Sequence, residues 1–252
     1  MRVVLVTSES TYVKDNYYSL LEKLTDKKLL PAGVEIAGLV IIKTVSFSLI
    51  KTAFSLMLIG VTCISSTLFK NMFSSVFSDP RAALAKTRDI PVLKLANINL
   101  PESILKIKEL KPDLIVNIRT RNIYKKDVLA LPSVGCINVH HGLLPDNRGT
   151  MCDLWAWYEG RPVGFTVHWM NEKIDDGDII LTHEIDVSKI ASYIDIPYLS
   201  SQFESGRLIE CFAKIAREGR TAGIKNITEN KRFTKNPTYE QIKEIKKKGL
   251  NL

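Results

Sequence analysis

A chain of 252 residues that is 45% hydrophobic and 25% charged can bury a substantial core and is not disordered. Its four cysteines, Cys63, Cys136, Cys152 and Cys211, are widely spaced and form no Cys-x-x-Cys pair, which excludes a disulfide scaffold, a zinc ribbon and a thioredoxin-type site. The formal charge of +8 suits an anionic partner, whether nucleic acid, nucleotide or membrane surface, but does not choose among them. Much of the excess sits in Lys225, Lys231, Arg232, Lys235 and the run Lys243 to Lys248, where a solvated helix face is the simpler reading.

In chain order, residues 2–7 and 34–42 are short runs rich in Val and Ile and read as buried parallel strands, with a helix over 15–30 between them. No basic leader or cleavage site precedes Val3-Val4-Leu5-Val6, so residence in the cytoplasm is expected. The alternation continues with a strand over 90–95, a helix over 101–110 opened by Pro101, a strand over 113–117, a short helix over 124–129 and a strand over 136–140. This pattern predicts a Rossmann-like α/β fold, a mostly parallel sheet with helices on both faces. Beyond it come strands over 164–170 and 179–187, an Asp-rich turn at Asp175 to Asp178, an amphipathic helix over 202–217 and a short polar extension. We expect a catalytic domain over 1–190, with the helix and extension of 191–252 packed on it.

One segment interrupts this alternation. Residues 45–69 carry one charge, Lys51, amid Phe47, Leu49, Ile50, Phe54, Met57, Leu58, Ile64 and Phe69. The length suffices for a membrane span of roughly 20 apolar residues, yet Ser and Thr dilute the run and it lies between two strands of one sheet. The reading is one or two helices buried on the sheet or in a subunit interface such as a homodimer's; a surface formed by residues 46–77 and resting on the inner face of a membrane is the alternative.

Asn138 and His140 stand two apart on a strand, so both project from one face at the carboxyl end, where open α/β sheets place their ligands. Leu143-Leu144-Pro145 then makes a fixed turn, and Arg148-Gly149 adds a guanidinium and a flexible backbone point. Asp175 follows in a turn where Gly177 can supply a positive φ and where Asp176 and Asp178 read as turn-formers. An amide, an imidazole and a carboxylate suit an acyl transfer between two bound substrates, because they can steady an oxyanion and move protons without a protein nucleophile. His168, on a neighbouring strand, can join the same cleft or be a satisfied structural histidine, while His141 should face the other way.

Together these segments resemble the folate-dependent formyltransferases, a family that includes glycinamide ribonucleotide, methionyl-tRNA and sugar-nucleotide enzymes. The resemblance rests on Asn138-Val139-His140 with Leu143-Leu144-Pro145 and Arg148-Gly149, on Gly164-Phe165-Thr166-Val167-His168, and on Asp175-Asp176-Gly177, and it covers residues 88–187. It implies 10-formyltetrahydrofolate as co-substrate and no metal. Asn138 and His140 would stabilise the developing alkoxide, with His140 also assisting proton transfer, and Asp175 would hold a water or the imidazole. The pterin would lie near Ile118, Arg119, Thr120 and Arg121 and near Asp176 and Gly177; Arg148, Gly149, Trp155 and His168 would serve the acceptor. Two departures from the family pattern are Arg119-Thr120-Arg121, where a small or aromatic residue is usual, and Gly142, where serine is usual.

For the acceptor, Asn147-Arg148-Gly149 with Asp153-Leu154-Trp155-Ala156-Trp157 looks most like the sugar-modifying members, which implies a nucleotide-linked amino sugar. Trp155, Trp157 and Tyr158 can stack on a base or sugar face, or can be plain core. Methionyl-tRNA is the alternative, weighed against the roughly 65 residues that follow Val187, since those enzymes carry a substantial C-terminal domain. A reading of another class is a non-catalytic, folate-binding or membrane-associated relative.

Overall fold

A computed structural model describes residues 1–252. The chain opens with β1 (Arg2–Ser8) and α1 (Tyr18–Leu24). This helix is much shorter than the sequence reading of 15–30, because Asn16 and Tyr17 adopt left-handed backbone and Asp15 instead accepts hydrogen bonds from the Tyr17 and Ser19 amides. After β2 (Glu35–Ile42) comes a helical hairpin, α2 (Phe47–Leu58) and α3 (Thr62–Phe77), then α4 (Pro80–Thr87), which the sequence reading lacked. Ser46 caps α2 by accepting from the Leu49 amide, and Asp79 caps α4 with Pro80 at its first position.

The alternation then resumes as β3 (Val92–Leu95), α5 (Pro101–Glu109), β4 (Leu114–Ile118), α6 (Lys126–Leu129) and β5 (Gly135–His140). Next are β6 (Asn147–Gly149), α7 (Cys152–Tyr158), β7 (Val163–Trp169), β8 (Ile179–Ile185) and the long α8 (Asp195–Glu218). The last elements are β9 (Arg232–Thr234) and α9 (Tyr239–Lys247), which is opened by a Thr238–Gln241 capping box.

Seven strands form one sheet in the order β3-β2-β1-β4-β5-β7-β8, parallel through β5 and antiparallel for β7 and β8. This is the mostly parallel sheet that the alternation predicts. The order reverses between β1 and β4, which opens a crevice beyond the carboxyl ends of these strands. Period-two alternation sorts the strands onto two cores: Val116, Ile118, Ile137, Val139, Phe165 and Val167 meet α1 and α8, whereas Val4, Val6, Ile115 and Cys136 meet the α5 and α6 side.

The hairpin does not lie on the sheet, as its apolar composition suggests. Leu49, Ala53, Ile64, Leu68 and Met72 pack instead with Leu154 and Ala156 of α7, Ile196 of α8, and Ile242 and Ile245 of α9. No helix is long and apolar enough to cross a membrane.

Arg81 ties the base of the hairpin to the sheet. Buried at 1% exposure, it donates to both oxygens of the equally buried Asp79 and to the carbonyls of Ser8, Glu9 and Asn16. Removing one partner of such a pair strands the other charge. Arg81→Met is therefore expected to lower unfolding stability by about 3–5 kcal/mol in urea titration; a loss below about 1 kcal/mol would show that this anchor is dispensable.

Candidate active site

Three side chains sit in one row across the sheet because their strands are in register: Asn117 of β4 opposite Asn138 of β5, and Asn138 opposite His168 of β7. Cross-strand partners share a face, and the row is joined by hydrogen bonds. Asn117 Nδ2 donates to Asn138 Oδ1 at 2.9 Å, and Asn138 Nδ2 lies 3.1 Å from His168 Nε2. Asn117 Oδ1 itself accepts from the Thr120 amide and hydroxyl, at 3.1 and 2.8 Å. Asn138 thus spends one Nδ2 hydrogen on His168 and keeps the other for a ligand.

His140 lies two residues along β5, on the same face, and is 7% exposed. Its Nε2 donates to the Asn147 carbonyl at 2.8 Å, which fixes the tautomer and leaves Nδ1 as the basic atom, 3.5 Å from Asp175 Oδ1. His168 is the mirror case. Its Nδ1 donates to the Trp169 carbonyl at 2.8 Å, and its Nε2 lies 3.6 Å from the same Asp175 oxygen. One carboxylate oxygen therefore stands between two imidazole nitrogens that carry no proton when neutral, an arrangement that can accept and return one proton.

The charges agree with the geometry. Burial lowers the His140 pKa, and this outweighs the attraction of Asp175, so the resting ring is neutral. Burial would raise Asp175, but the facing His140, the nearby His168 and the Gly149 amide outweigh it and hold the carboxyl at about 2. Burial pushes the thiols of Cys136, Cys152 and Cys211 up to about 12, so none is a ready nucleophile. No group of three or more His, Cys, Asp and Glu side chains is placed to hold a metal ion.

The carboxylate is placed by its turn. Asp175 adopts φ 50°, the left-handed backbone expected of Gly177, whose own requirement is space: an added Cβ there would lie 1.9 Å from the Trp169 carbonyl. Gly142 is also a matter of space, since a Cβ would come within 2.6 Å of His140 Nε2, so a serine there would crowd that ring.

Other expected site residues take different places. Arg148, read as facing the acceptor, is 1% exposed, and all five of its N–H donors go to the Pro145 and Asp175 carbonyls, Asp176 Oδ1, and the Asn226 carbonyl and Oδ1. It clamps the Asp175 turn. Gly149 donates its amide to Asp175 Oδ2 at 2.8 Å and backs onto Thr234. Trp155 ties its indole N–H to the Lys235 carbonyl, which joins it to the tail. Asp176 pairs with Arg148 at 3.0 Å.

Of the residues expected near a pterin, Ile118 is buried in the sheet and Arg121 is exposed. Thr120 is engaged with Asn117, and Arg119 turns inward to the Tyr17 hydroxyl at 2.9 Å and to Asp153 at 3.8 Å. Arg121 is the side chain in that stretch that remains free of these internal contacts. His141 points to the opposite side, into a buried network with Asp153, Glu204 and Ser200. There burial would raise both carboxyls, but His141 and Arg119 hold them down.

Asn117 and Asn226 do not stand out in the sequence, and Asn147 and Thr166 stand there only inside the family-like segments, without roles of their own. Asn117 carried one signal, a polar residue closing the apolar run Leu114-Ile115-Val116. Thr166 grips the loop after β5, accepting from the Leu144 amide and donating to the Gly142 carbonyl.

The family model described as "Formyl transferase" matches residues 59–204. A methionyl-tRNA formyltransferase of Bacillus subtilis is 42% identical over 101 residues, which cover 40% of this chain and 32% of that protein. One from Citrifermentans bemidjiense is 35% identical over 139 residues, 55% of this chain and 44% of that protein. The matches thus span less than half the length of these curated relatives. Among solved structures, glycinamide ribonucleotide transformylase 1 from Symbiobacterium toebii aligns with a TM-score of 0.61 at 15% identity, over 86% of this chain and 88% of that one. A sugar N-formyltransferase from Shewanella aligns at 0.56 and 17%, over 93% and 76%. At such identities the likeness is one of fold.

Proton linkage gives the site a measurable signature. Both His140 and Asp175 have lowered pKa values in the folded state, so the unfolded chain binds protons first and acid destabilises. The Asp175 contribution is complete above about pH 4 and is lost as pH falls toward about 2. His140 acts higher, as pH falls below about 6.5. Stability in urea is expected to fall across that upper window, and His140→Gln to flatten the fall, leaving the smaller part due to His183, which burial also lowers. A variant curve as steep as the parent's would contradict the neutral His140.

Proposed function

Because this chain belongs to the formyl transferase family, we propose that it moves a formyl group from 10-formyltetrahydrofolate to the amine of an amino sugar, one carried on a nucleotide. The observation that carries the transfer reading is the convergence of Asn138, His140 and His168 on Asp175 at the mouth of the sheet. Bound 10-formyltetrahydrofolate supplies an activated formyl carbon and a nitrogen leaving group. Asn138 Nδ2 has one N–H left to donate to the formyl oxygen as it gains negative charge. His140 Nδ1 takes the proton the amine loses as its bond to the carbon forms, and the Asp175 carboxylate steadies the resulting imidazolium. His140 then returns that proton to the departing nitrogen, so the site ends as it began. His168 keeps the Asn138 amide turned and adds a second basic nitrogen beside Asp175.

The donor set fits this chemistry. It offers one neutral N–H for the oxyanion, one neutral base and one buried carboxylate, with the remaining site polarity spent on orienting them. Holding two substrates in such a cleft also makes the encounter effectively unimolecular.

For the acceptor, support for an amino sugar comes from the stretch Asn147 to Trp157, which resembles the sugar-modifying members, and from a fold shared with a sugar N-formyltransferase. The second reading is a methionyl-tRNA acceptor, favoured by the names of the curated relatives and by the positive charge.

Tetrahydrofolate release, followed with 10-formyltetrahydrofolate and a panel of nucleotide-linked amino sugars, methionyl-tRNA and glycinamide ribonucleotide, tests both steps. Turnover is expected with a nucleotide-linked amino sugar and is expected to fall by about 10²-fold or more in Asn138→Ala and His140→Ala. Preference for methionyl-tRNA would transfer the assignment to the second reading, and no turnover with any amine would sink the transfer itself.

A further inference from the structure

The hairpin α2–α3 leaves eight large apolar side chains exposed. Phe47 is 82% exposed, Leu58 71%, Phe73 68% and Phe77 74%, and Ile50, Phe54, Met57 and Val76 accompany them. At 3.6 residues per turn, positions 47, 50, 54, 57 and 58 make one stripe along α2, and 73, 76 and 77 make another along the end of α3. Neither stripe is the packed face, which is Leu49 and Ala53 on α2 and Ile64, Leu68 and Met72 on α3.

Ser65 Oγ donates to the Ala53 carbonyl at 2.7 Å and marks the seam between the two helices. Helical geometry sets each apolar stripe to one side of its own helix's packed face. On the other flank of α2, Ser48, Lys51, Thr52, Ser55, Leu56 and Ile59 line a groove of about 400 Å³ together with Tyr239. Eight large apolar side chains exposed on one hairpin, beside polar residues, mark an interaction site.

Its charges identify the partner. From Phe47 to Phe77 there is no Asp or Glu, and the charged residues are Lys51 and Lys70, both exposed. Lys246 of α9 donates to the Ile59 and Gly60 carbonyls, which docks the basic end of that helix, Lys243, Lys247 and Lys248, alongside α2. Glu240 and Glu244 are the acidic residues on α9.

We propose that the hairpin is a lipid-docking surface that seats the protein flat on an anionic membrane, with the apolar stripes entering the headgroup region and the lysines meeting lipid phosphates and carboxylates. A second copy is a poorer occupant, because an isologous contact lays the surface against itself and its charges are all positive. Insertion across the bilayer is out of reach for α2, whose 12 residues rise about 18 Å against a hydrocarbon core of about 30 Å.

Cosedimentation of the full chain with phosphatidylcholine vesicles, with and without phosphatidylserine, tests this independently of formyl transfer. The protein is expected to pellet with the phosphatidylserine vesicles, to do so far less with phosphatidylcholine alone, and to be released as salt rises. Phe54→Ser with Phe73→Ser is expected to lower partition by about tenfold or more, and Lys51→Gln with Lys70→Gln by about fivefold per lysine. Both pairs should keep the parent's thermal unfolding midpoint. No pelleting with either vesicle, or equal pelleting of parent and variants, overturns the proposal. So does a concentration-dependent dimer in sedimentation velocity that the phenylalanine pair dissolves without any vesicle binding.

Discussion

The five N–H donors of Arg148 fasten the Asp175 turn to the Pro145 loop and to Asn226, and the geometry of the cleft depends on that clamp. Asp175 carries a left-handed backbone without being glycine, a conformation that costs about 1–2 kcal/mol. It is held there because its carbonyl accepts from both Arg148 and Asn226 while its carboxylate accepts the Gly149 amide. Asn226 also binds the Gly177 carbonyl, and β9 pairs with β6 immediately beside it. Residues 226–234, far along the chain, are thus part of what aims the carboxylate.

The consequence is electrostatic. A buried carboxylate held ionised beside the neutral His140 ring leaves a space between them that can take up one proton. The orienting bonds keep that state: Asn147 holds one face of His140, Trp169 holds one face of His168, and Asn117 turns the Asn138 amide toward both His168 and an incoming ligand. On the opposite side of β5, the His141, Asp153, Glu204 and Arg119 network ties α7 and α8 to the same strand end. Adjacent histidines thus do different work because alternation sends them to different faces.

Much of this was legible in the sequence. The Val- and Ile-rich runs located the strands, and period two put Asn138 and His140 on one face. The Asp-Asp-Gly turn located Asp175. What stayed hidden depends on register or on distance. Asn117 gains its role only because β4 and β5 pair Asn117 with Asn138, and Asn226 only because the tail returns to the turn. A three-residue pairing such as β6 with β9 has too little pattern to read. Arg148 looked like a ligand-binding guanidinium because residue type carries no information about burial. Of the readings of the hairpin, burial on the sheet fails because its composition is apolar on two faces, while packing uses one.

The central claim is that the charge of Asp175, and not merely its shape, sets the protonation of the site. The direct test is turnover of Asp175→Asn, which keeps the size and an acceptor oxygen for the Gly149 amide but removes the charge between His140 and His168. Turnover about 10²-fold or more below the parent, with the unfolding transition and the heat of folate binding retained, is the expected result. A variant within a few fold of the parent would contradict the account.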